Sequence, residues 1–292
     1  MIDEFLAQHR LPEAFRELID DHYLPLGDWI FRRRRAGRPL LIGINGAQGT
    51  GKSTLTDFLK LVLESNHQWR VAVLSIDDFY LTKDERSKLA EDVHPLLATR
   101  GAPGTHDVKM LVTCLDELMA LQNGQSLRLP RFDKAADDRS EQSLWPSVEG
   151  PLDLIILEGW CVGSVAQSDA ELVQPVNKLE RDEDPSATWR RYVNEQLGKD
   201  YLPIFARLDG LVFIKAPNFD SVYRWRLEQE HKLADVASVD ASGIMDENQI
   251  ARFIQFYERI TRNDLLWLSE SADVVFELDE NHACARSRYK IQ

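Results

Sequence analysis

Apolar residues recur along the chain with two periods, and their alternation predicts the architecture. Between Pro12 and about Arg35, Phe15, Leu18, Ile19, Leu26, Trp29 and Ile30 fall at helical spacing, with an interruption expected near Pro25. The run Leu40-Leu41-Ile42-Gly43-Ile44 reads as a buried strand leading through a glycine-rich turn into a helix around Thr54 to Leu59. Val71 to Ile76, Leu152 to Leu157, Leu211 to Lys215 and Val274 to Leu278 are four more strand-like runs. Between them lie helical patterns: Val108, Leu111, Val112, Leu115, Leu118 and Met119 on one face, Phe219 to about Ala234, and a long helix near Asp246 to Leu268. Strands alternating with helices predict an α/β fold of the P-loop NTPase type, with a mostly parallel sheet and helices on both faces. Residues 1–38 are expected to be an N-terminal helical extension and residues 39–292 one domain, with a lid near 219–245. Pro130 predicts an edge or loop for residues 127–134, and the acidic, proline-bearing stretch 164–187 reads as a surface insertion.

Composition narrows the class. The 292 residues carry a net charge of −13 with 43% hydrophobic residues, enough apolar content for a substantial core. The acidic balance argues against a general role on nucleic acid or anionic membranes, so any anionic ligand must be captured locally. Arg32 to Arg35 read as a solvated helix end rather than a nucleic-acid patch. Cys114, Cys161 and Cys284 stand apart, which predicts reduced thiols and no zinc site. The N-terminal residues lack a basic and then apolar leader pattern, and no apolar run approaches a membrane span, so a cytoplasmic location is expected. Oligomeric state is not legible.

The chemistry centres on Gly46-Ala47-Gln48-Gly49-Thr50-Gly51-Lys52-Ser53, followed by Thr54 at the start of a helix. A G-x-x-x-x-G-K-[ST] loop between strand and helix turns successive N–H groups inward and adds the positive end of the helix dipole, which suits the polyphosphate of ATP. Lys52 supplies a cation for the terminal phosphates, and the Ser53 hydroxyl is a ligand for Mg²⁺. The strand 152–157 ends in Glu158, a second candidate for the metal shell; the strand 71–76 ends in Asp77 and Asp78. Asp77 is the candidate base for an acceptor hydroxyl, the competing reading of both aspartates being a strand-end cap. Arg224, and less so Arg226, lie where a mobile lid would close over the phosphates, although an ordinary solvated helix would carry the same residues. His106 serves equally as a local hydrogen-bonding residue or a substrate ligand.

Several blocks together narrow this further. Ser75-Ile76-Asp77-Asp78-Phe79-Tyr80, Arg100-Gly101-x-x-Gly104-Thr105-His106-Asp107, Pro130-Arg131-Phe132-Asp133-Lys134, Leu157-Glu158-Gly159-Trp160 and Val222 to Leu227 accompany the phosphate loop. From about Leu40 to Asp279 the chain resembles the plant-type D-glycerate 3-kinases, relatives of phosphoribulokinase, uridine kinase and pantothenate kinase. The resemblance implies a base at Asp77 and metal service by Glu158, as the residues themselves suggest. It also implies that the block containing Phe132 and Asp133, together with Arg139, contacts the acceptor. A small hydroxy acid needs a carboxylate clamp, for which Arg100, Arg131, Lys134 and Arg139 are candidates, with Asp78 and Tyr80 nearby. A larger nucleoside or pantothenate-like acceptor would instead pack on Tyr80, Phe132 or Trp160. A non-catalytic ATP-binding regulatory protein is the alternative from outside the enzymes.

Overall fold

The computed structural model describes residues 1–236 and 245–290. Helices α1 (Ile2–Gln8), α2 (Phe15–Leu18) and α3 (Leu24–Arg32) precede strand β1 (Leu40–Gly46), with a π-helical turn at Ile19–Tyr23. No break occurs near Pro25: the helical backbone continues from Phe15 to Arg32, and the π-helical turn just before Pro25 takes up its missing N–H. Helix α4 (Lys52–His67), β2 (Val71–Ser75), a 3₁₀ turn (Ile76–Phe79), α5 (Lys83–Asp92) and α6 (Val108–Ala120) follow. Short strands β3 (Ser126–Arg128), β4 (Phe132–Asp133), β5 (Asp138–Arg139) and β6 (Ser147–Glu149) form two small antiparallel pairs, β3 with β6 and β4 with β5. Beyond them lie β7 (Leu154–Gly159), α7 (Lys178–Glu183), α8 (Thr188–Gln196), α9 (Leu202–Phe205) and β8 (Gly210–Lys215). The described chain ends with α10 (Phe219–Val236), α11 (Glu247–Ser271), β9 (Val274–Leu278) and β10 (Cys284–Tyr289).

Six strands make the main sheet in the order β10-β9-β8-β1-β7-β2. All are parallel except β10, which adds antiparallel to β9. The five strands expected from apolar runs are present; β10, with the mixed sequence CARSRY, lacks such a run because it is half solvated at the sheet edge.

Successive side chains of a strand point to opposite faces, and here the two faces carry separate cores. Leu41, Ile155, Leu157, Ala72 and Leu74 pack with α6, α8 and the inner side of α11. Leu40, Ile42, Ile44, Leu154 and Ile156 pack on the other face with α4 and the N-terminal helices. Phe5, Ile19, Leu26 and Ile30 are buried there, so the N-terminal helical region covers one face of the sheet.

Residues 164–187 depart from the surface insertion expected of them. Leu172, Leu179, Glu180, Asp184 and Ala187 are buried. Glu180 receives both Nε (2.7 Å) and Nη2 (2.6 Å) of Arg259 on α11, and the same guanidinium donates to the carbonyls of Glu171 and Gln174. Asp184 accepts from Nη1 of Arg190 (3.0 Å) and from the Trp189 N–H (2.9 Å). A run of acids looks solvated when read singly, but Glu180 and Asp184 stand four apart, and each meets an arginine brought from elsewhere.

Removing one member of a buried pair leaves the other charge uncompensated. Glu180→Ala should therefore cost about 3–5 kcal/mol of folding stability. Denaturant unfolding checks this, and a loss near that of an exposed substitution would show that the pair does not hold the segment.

Candidate active site

Three adjacent strand ends build the site. The parallel register sets Ile44 of β1 and Ser75 of β2 on either side of Glu158 of β7, so the phosphate loop, Glu158 and Asp77 emerge along one edge. Gly51 caps α4 in the left-handed region (φ +85°), and no side chain caps that helix. Its first N–H groups therefore remain available to an anion. Gly49 also has positive φ (+80°), and a Cβ there would lie 2.8 Å from Cβ of Trp225. Trp225, on α10, thus closes over the loop, with its Nε1 donating to the Glu280 carbonyl (3.2 Å).

Lys52 Nζ donates to the Ala47 carbonyl (3.0 Å), so its ammonium is folded back over the loop. Burial lowers its pKa, opposed by the charges of Glu158 and Asp77. Glu158 is itself buried, which raises its pKa, against Lys52 and a hydrogen bond from Ser75. The donor set for a metal is a hydroxyl, Ser53, and a carboxylate, Glu158. That suits a hard divalent ion that takes its remaining ligands from phosphate and water. Among the described residues no cluster of three His, Cys, Asp or Glu offers a protein-only metal site.

Asp77 is the second residue of the 3₁₀ turn, its N–H donating to Ser75 Oγ (3.4 Å). Oδ1 accepts from the Tyr80 hydroxyl (2.7 Å) and Oδ2 from Lys134 Nζ (2.8 Å). Burial pushes this carboxyl up, but Lys134 and Tyr80 together push it further down, below the ordinary range. It is ionised at neutral pH. Asp78 points elsewhere: it accepts from Arg131 Nη1 (3.1 Å) and the Phe132 N–H (3.2 Å), fastening the charged block 130–134 to the end of β2.

The remaining predicted residues divide by what holds them. Arg100 is paired with Asp137, and Arg139 donates to Asp107 Oδ2 (3.1 Å). Asp133 accepts from the N–H groups of Ala135 (2.9 Å) and Ala136 (3.1 Å), so it shapes the β4–β5 turn rather than facing an acceptor. Tyr80, Phe132 and Trp160 are buried: Tyr80 stacks on His106 (4.5 Å) with Phe132 at its edge, and Trp160 donates to the Gly101 carbonyl (3.1 Å). None offers a free face for stacking. Arg224 is hydrogen-bonded to Ser221 Oγ (3.1 Å) and ion-paired with Glu280 (3.2 Å). Arg226 is paired with buried Glu230 (2.6 Å). Residues 237–244 of the expected lid lie outside the described residues.

Sequence reasoning missed Trp225, Tyr201 and Asp264. Tyr201, 95 positions from His106, accepts the Gly104 N–H (3.0 Å), and its hydroxyl lies 2.6 Å from His106 Nδ1. The Tyr201 oxygen thus links the Gly104 backbone to Nδ1 of His106 and leaves Nε2 as the other polar atom of the ring. That Nε2 and Arg139 Nε are buried with no hydrogen-bond partner among the described residues. Burial pushes the His106 pKa down to about 4. Asp264 lies behind the loop, accepting from Ser164 Oγ (2.6 Å) and Asn45 Nδ2 (3.3 Å), and burial raises its pKa to about 7. Among these only Trp225 lay inside a quoted block, between the two arginines.

A phosphate loop, an acid at the neighbouring strand end and a second carboxylate one strand further define a P-loop kinase, an ATP-dependent phosphotransferase. The comparisons refine the class. A family model described as "Methylmalonyl Co-A mutase-associated GTPase MeaB" matches residues 30–80, the phosphate loop and its surroundings. The chain is 36% identical over 229 residues to "Uncharacterized kinase mug58" of Schizosaccharomyces pombe, covering 76% of this chain and 79% of that protein. It is 34% identical over 226 residues to "D-glycerate 3-kinase, chloroplastic" of Arabidopsis thaliana, covering 75% of this chain and 46% of the longer plant protein. A solved D-glycerate 3-kinase of Cryptococcus neoformans superposes with a TM-score of 0.77 at 26% identity, over 92% of this chain and 99% of that one. The chain belongs to the same family of P-loop kinases as the mug58 protein, and it is similar to D-glycerate 3-kinases. Among the described residues no helix is long and apolar enough to cross a membrane.

Two measurements test this geometry. Lys52→Ala should lower turnover on the order of 10²- to 10³-fold with melting temperature unchanged, because the cation acts on charge that develops during transfer. Near-normal turnover would remove the loop from catalysis. For His106, a folded pKa of about 4 against an unfolded value of about 6.5 means the unfolded state binds the proton first as pH falls. Its contribution is full above pH 6.5 and is lost as pH drops toward 4, about 2 kcal/mol between pH 7 and 5. Urea titrations at both pH values should show this slope in the wild type and not in His106→Gln; equal slopes would mean that His106 titrates normally.

Proposed function

We propose that the protein transfers the γ-phosphoryl group of ATP to the 3-hydroxyl of D-glycerate, with Mg²⁺ held between Ser53, Glu158 and the phosphates. The observation that carries this reading is the contact of Lys134 with Asp77, which joins the charged block 130–139 to the carboxylate at the end of β2. Around that point stand Arg131 and Arg139, with Arg100 behind them, in a chain whose net charge is −13. Such a concentration of cations favours a small anionic acceptor over a neutral one. Burial of Tyr80, Phe132 and Trp160 supports the same choice, since a nucleoside-sized acceptor would need an aromatic face. Kinship with D-glycerate 3-kinases at 34% and 26% identity supports glycerate among the small acids.

In this reading the N-terminus of α4 and Lys52 orient the phosphates, and Asp77 receives the acceptor's hydroxyl proton as the new O–P bond forms. The metal supplies charge neutralisation on the phosphates. Tyr80 fixes the Asp77 carboxylate by its hydrogen bond to Oδ1. His106 Nε2 and the Arg139 Nε–H are the unpartnered polar atoms on the acceptor side. Soluble small molecules are the expected partners.

The test is acceptor-dependent ADP release from ATP and Mg²⁺ across D-glycerate, other hydroxy acids, nucleosides and pantothenate. D-glycerate should give the highest kcat/KM; preference for a nucleoside would reject the acceptor. Asp77→Asn should keep ATP affinity by calorimetry while turnover falls on the order of 10²- to 10⁴-fold. Normal turnover in a stably folded variant would return Asp77 to a capping role.

A further inference from the structure

We propose that Lys134 is an exchangeable counter-ion: in the empty site it occupies the proton-accepting oxygen of Asp77, and an anionic acceptor draws it away, freeing the base only when a carboxylate-bearing substrate is bound. This deepens the glycerate reading and rests on it for the identity of the acid.

The four cations of the acceptor side are not held alike. Arg131 donates to the Pro130 carbonyl (2.9 Å) as well as to Asp78, and Arg139 to the Tyr80 carbonyl (3.4 Å) as well as to Asp107. Arg100 bonds Asp137 and the Lys134 carbonyl (3.3 Å). The Lys134 ammonium has a single hydrogen-bond partner among the described residues, Asp77, and the side chain is 61% exposed. An ion pair whose ammonium is mostly solvated and makes no other bond is weakly held, so a competing carboxylate can replace it.

The backbone beneath it is fixed. Asp133 caps the turn, and Asp137, in the left-handed region (φ 55°), offers its carbonyl to the buried Arg86 (2.8 Å) and its carboxylate to the same guanidinium (2.9 Å). Exchange therefore needs rotation of one lysine side chain, not movement of the hairpin. Nor would Asp77 lose its orientation, because Tyr80 holds Oδ1 while Lys134 leaves Oδ2. The other charged or titratable groups acting on Asp77 are Lys52, Glu158, Asp78, His106, Cys161 and Tyr257.

The chemical consequence follows from the proton's path. The acceptor oxygen forms its bond to the γ-phosphorus while the bond from that phosphorus to the β,γ-bridging oxygen breaks, its electron pair remaining on ADP. The acceptor's proton passes to Asp77 Oδ2. An oxygen already accepting from an ammonium is a poor proton acceptor. Water or a neutral alcohol, lacking the charge to detach Lys134, would meet a masked base. The ion pair thus discriminates for anionic acceptors and suppresses ATP hydrolysis in their absence.

The experiment compares wild type, Lys134→Gln and Lys134→Gln/Asp77→Asn, each checked for an unchanged melting temperature. It measures ATP hydrolysis without acceptor, then steady-state transfer to D-glycerate and to glycerol, which keeps the hydroxyls and lacks the carboxylate. Lys134→Gln should raise acceptor-free hydrolysis on the order of tenfold, and the double variant should abolish that rise. The KM for D-glycerate should rise on the order of tenfold, and the preference for D-glycerate over glycerol should fall by a similar factor. Unchanged hydrolysis, or an equal loss on both acceptors with the preference intact, would overturn the proposal. If the wild type accepts no hydroxy acid, the glycerate reading fails, and the hydrolysis comparison alone decides whether Lys134 masks Asp77.

Discussion

The site depends on the placing of β7 between β1 and β2 in parallel register. Because side chains alternate along a strand, a slip of one residue would turn Glu158 from the phosphate loop toward the opposite core and carry Ile155 and Leu157 with it. The register is enforced from both faces. On one, α4 and the N-terminal helices cover Leu154 and Ile156; on the other, α6, α8 and α11 cover Ile155 and Leu157. The N-terminal helices, α6, α8 and α11, which carry none of the proposed catalytic residues, are thus required to hold three strand ends in line. The buried Arg259–Glu180 and Arg190–Asp184 pairs fasten the connecting stretch 171–190 over that second face.

Charge is organised differently at the core and at the site. Away from the site, Glu180 and Asp184 are fully buried and their arginines make several further hydrogen bonds, so those pairs act as fixed joints. At the acceptor side the pairs are part exposed and progressively simpler, from Arg139 and Arg131 to the single contact of Lys134. An acidic protein that binds polyanions needs cations that neither collapse onto permanent partners nor stay loose in water, and the gradient from guanidinium to ammonium provides this. Arginine's planar fork suits the held positions, and the lysine's flexible stem suits the exchanging one.

What could be read from the residues was whatever depends on near neighbours. The five apolar runs became β1, β2, β7, β8 and β9, and the glycine-rich loop fell between strand and helix, because period and turn chemistry are local properties. Asp77 and Glu158 were legible for the same reason: each ends a run that a parallel sheet aims at its ligand edge. Local reading failed where a residue's meaning comes from a remote partner. Asp78 anchors a hairpin, and Glu180, within the largely exposed stretch 164–187, is buried against Arg259 of α11.

The amino-acid sequence by itself determined the fold class, the phosphate loop and the two strand-end acids. Tertiary structure alone decided that Tyr201 holds His106 Nδ1, that Trp225 closes over Gly49, and that Lys134 lies on Asp77. Those contacts join residues 95, 176 and 57 positions apart in chain number. Propensity and periodicity act over a few residues, whereas the protonation, burial and pairing of a side chain are set by whichever elements the packed sheet brings against it.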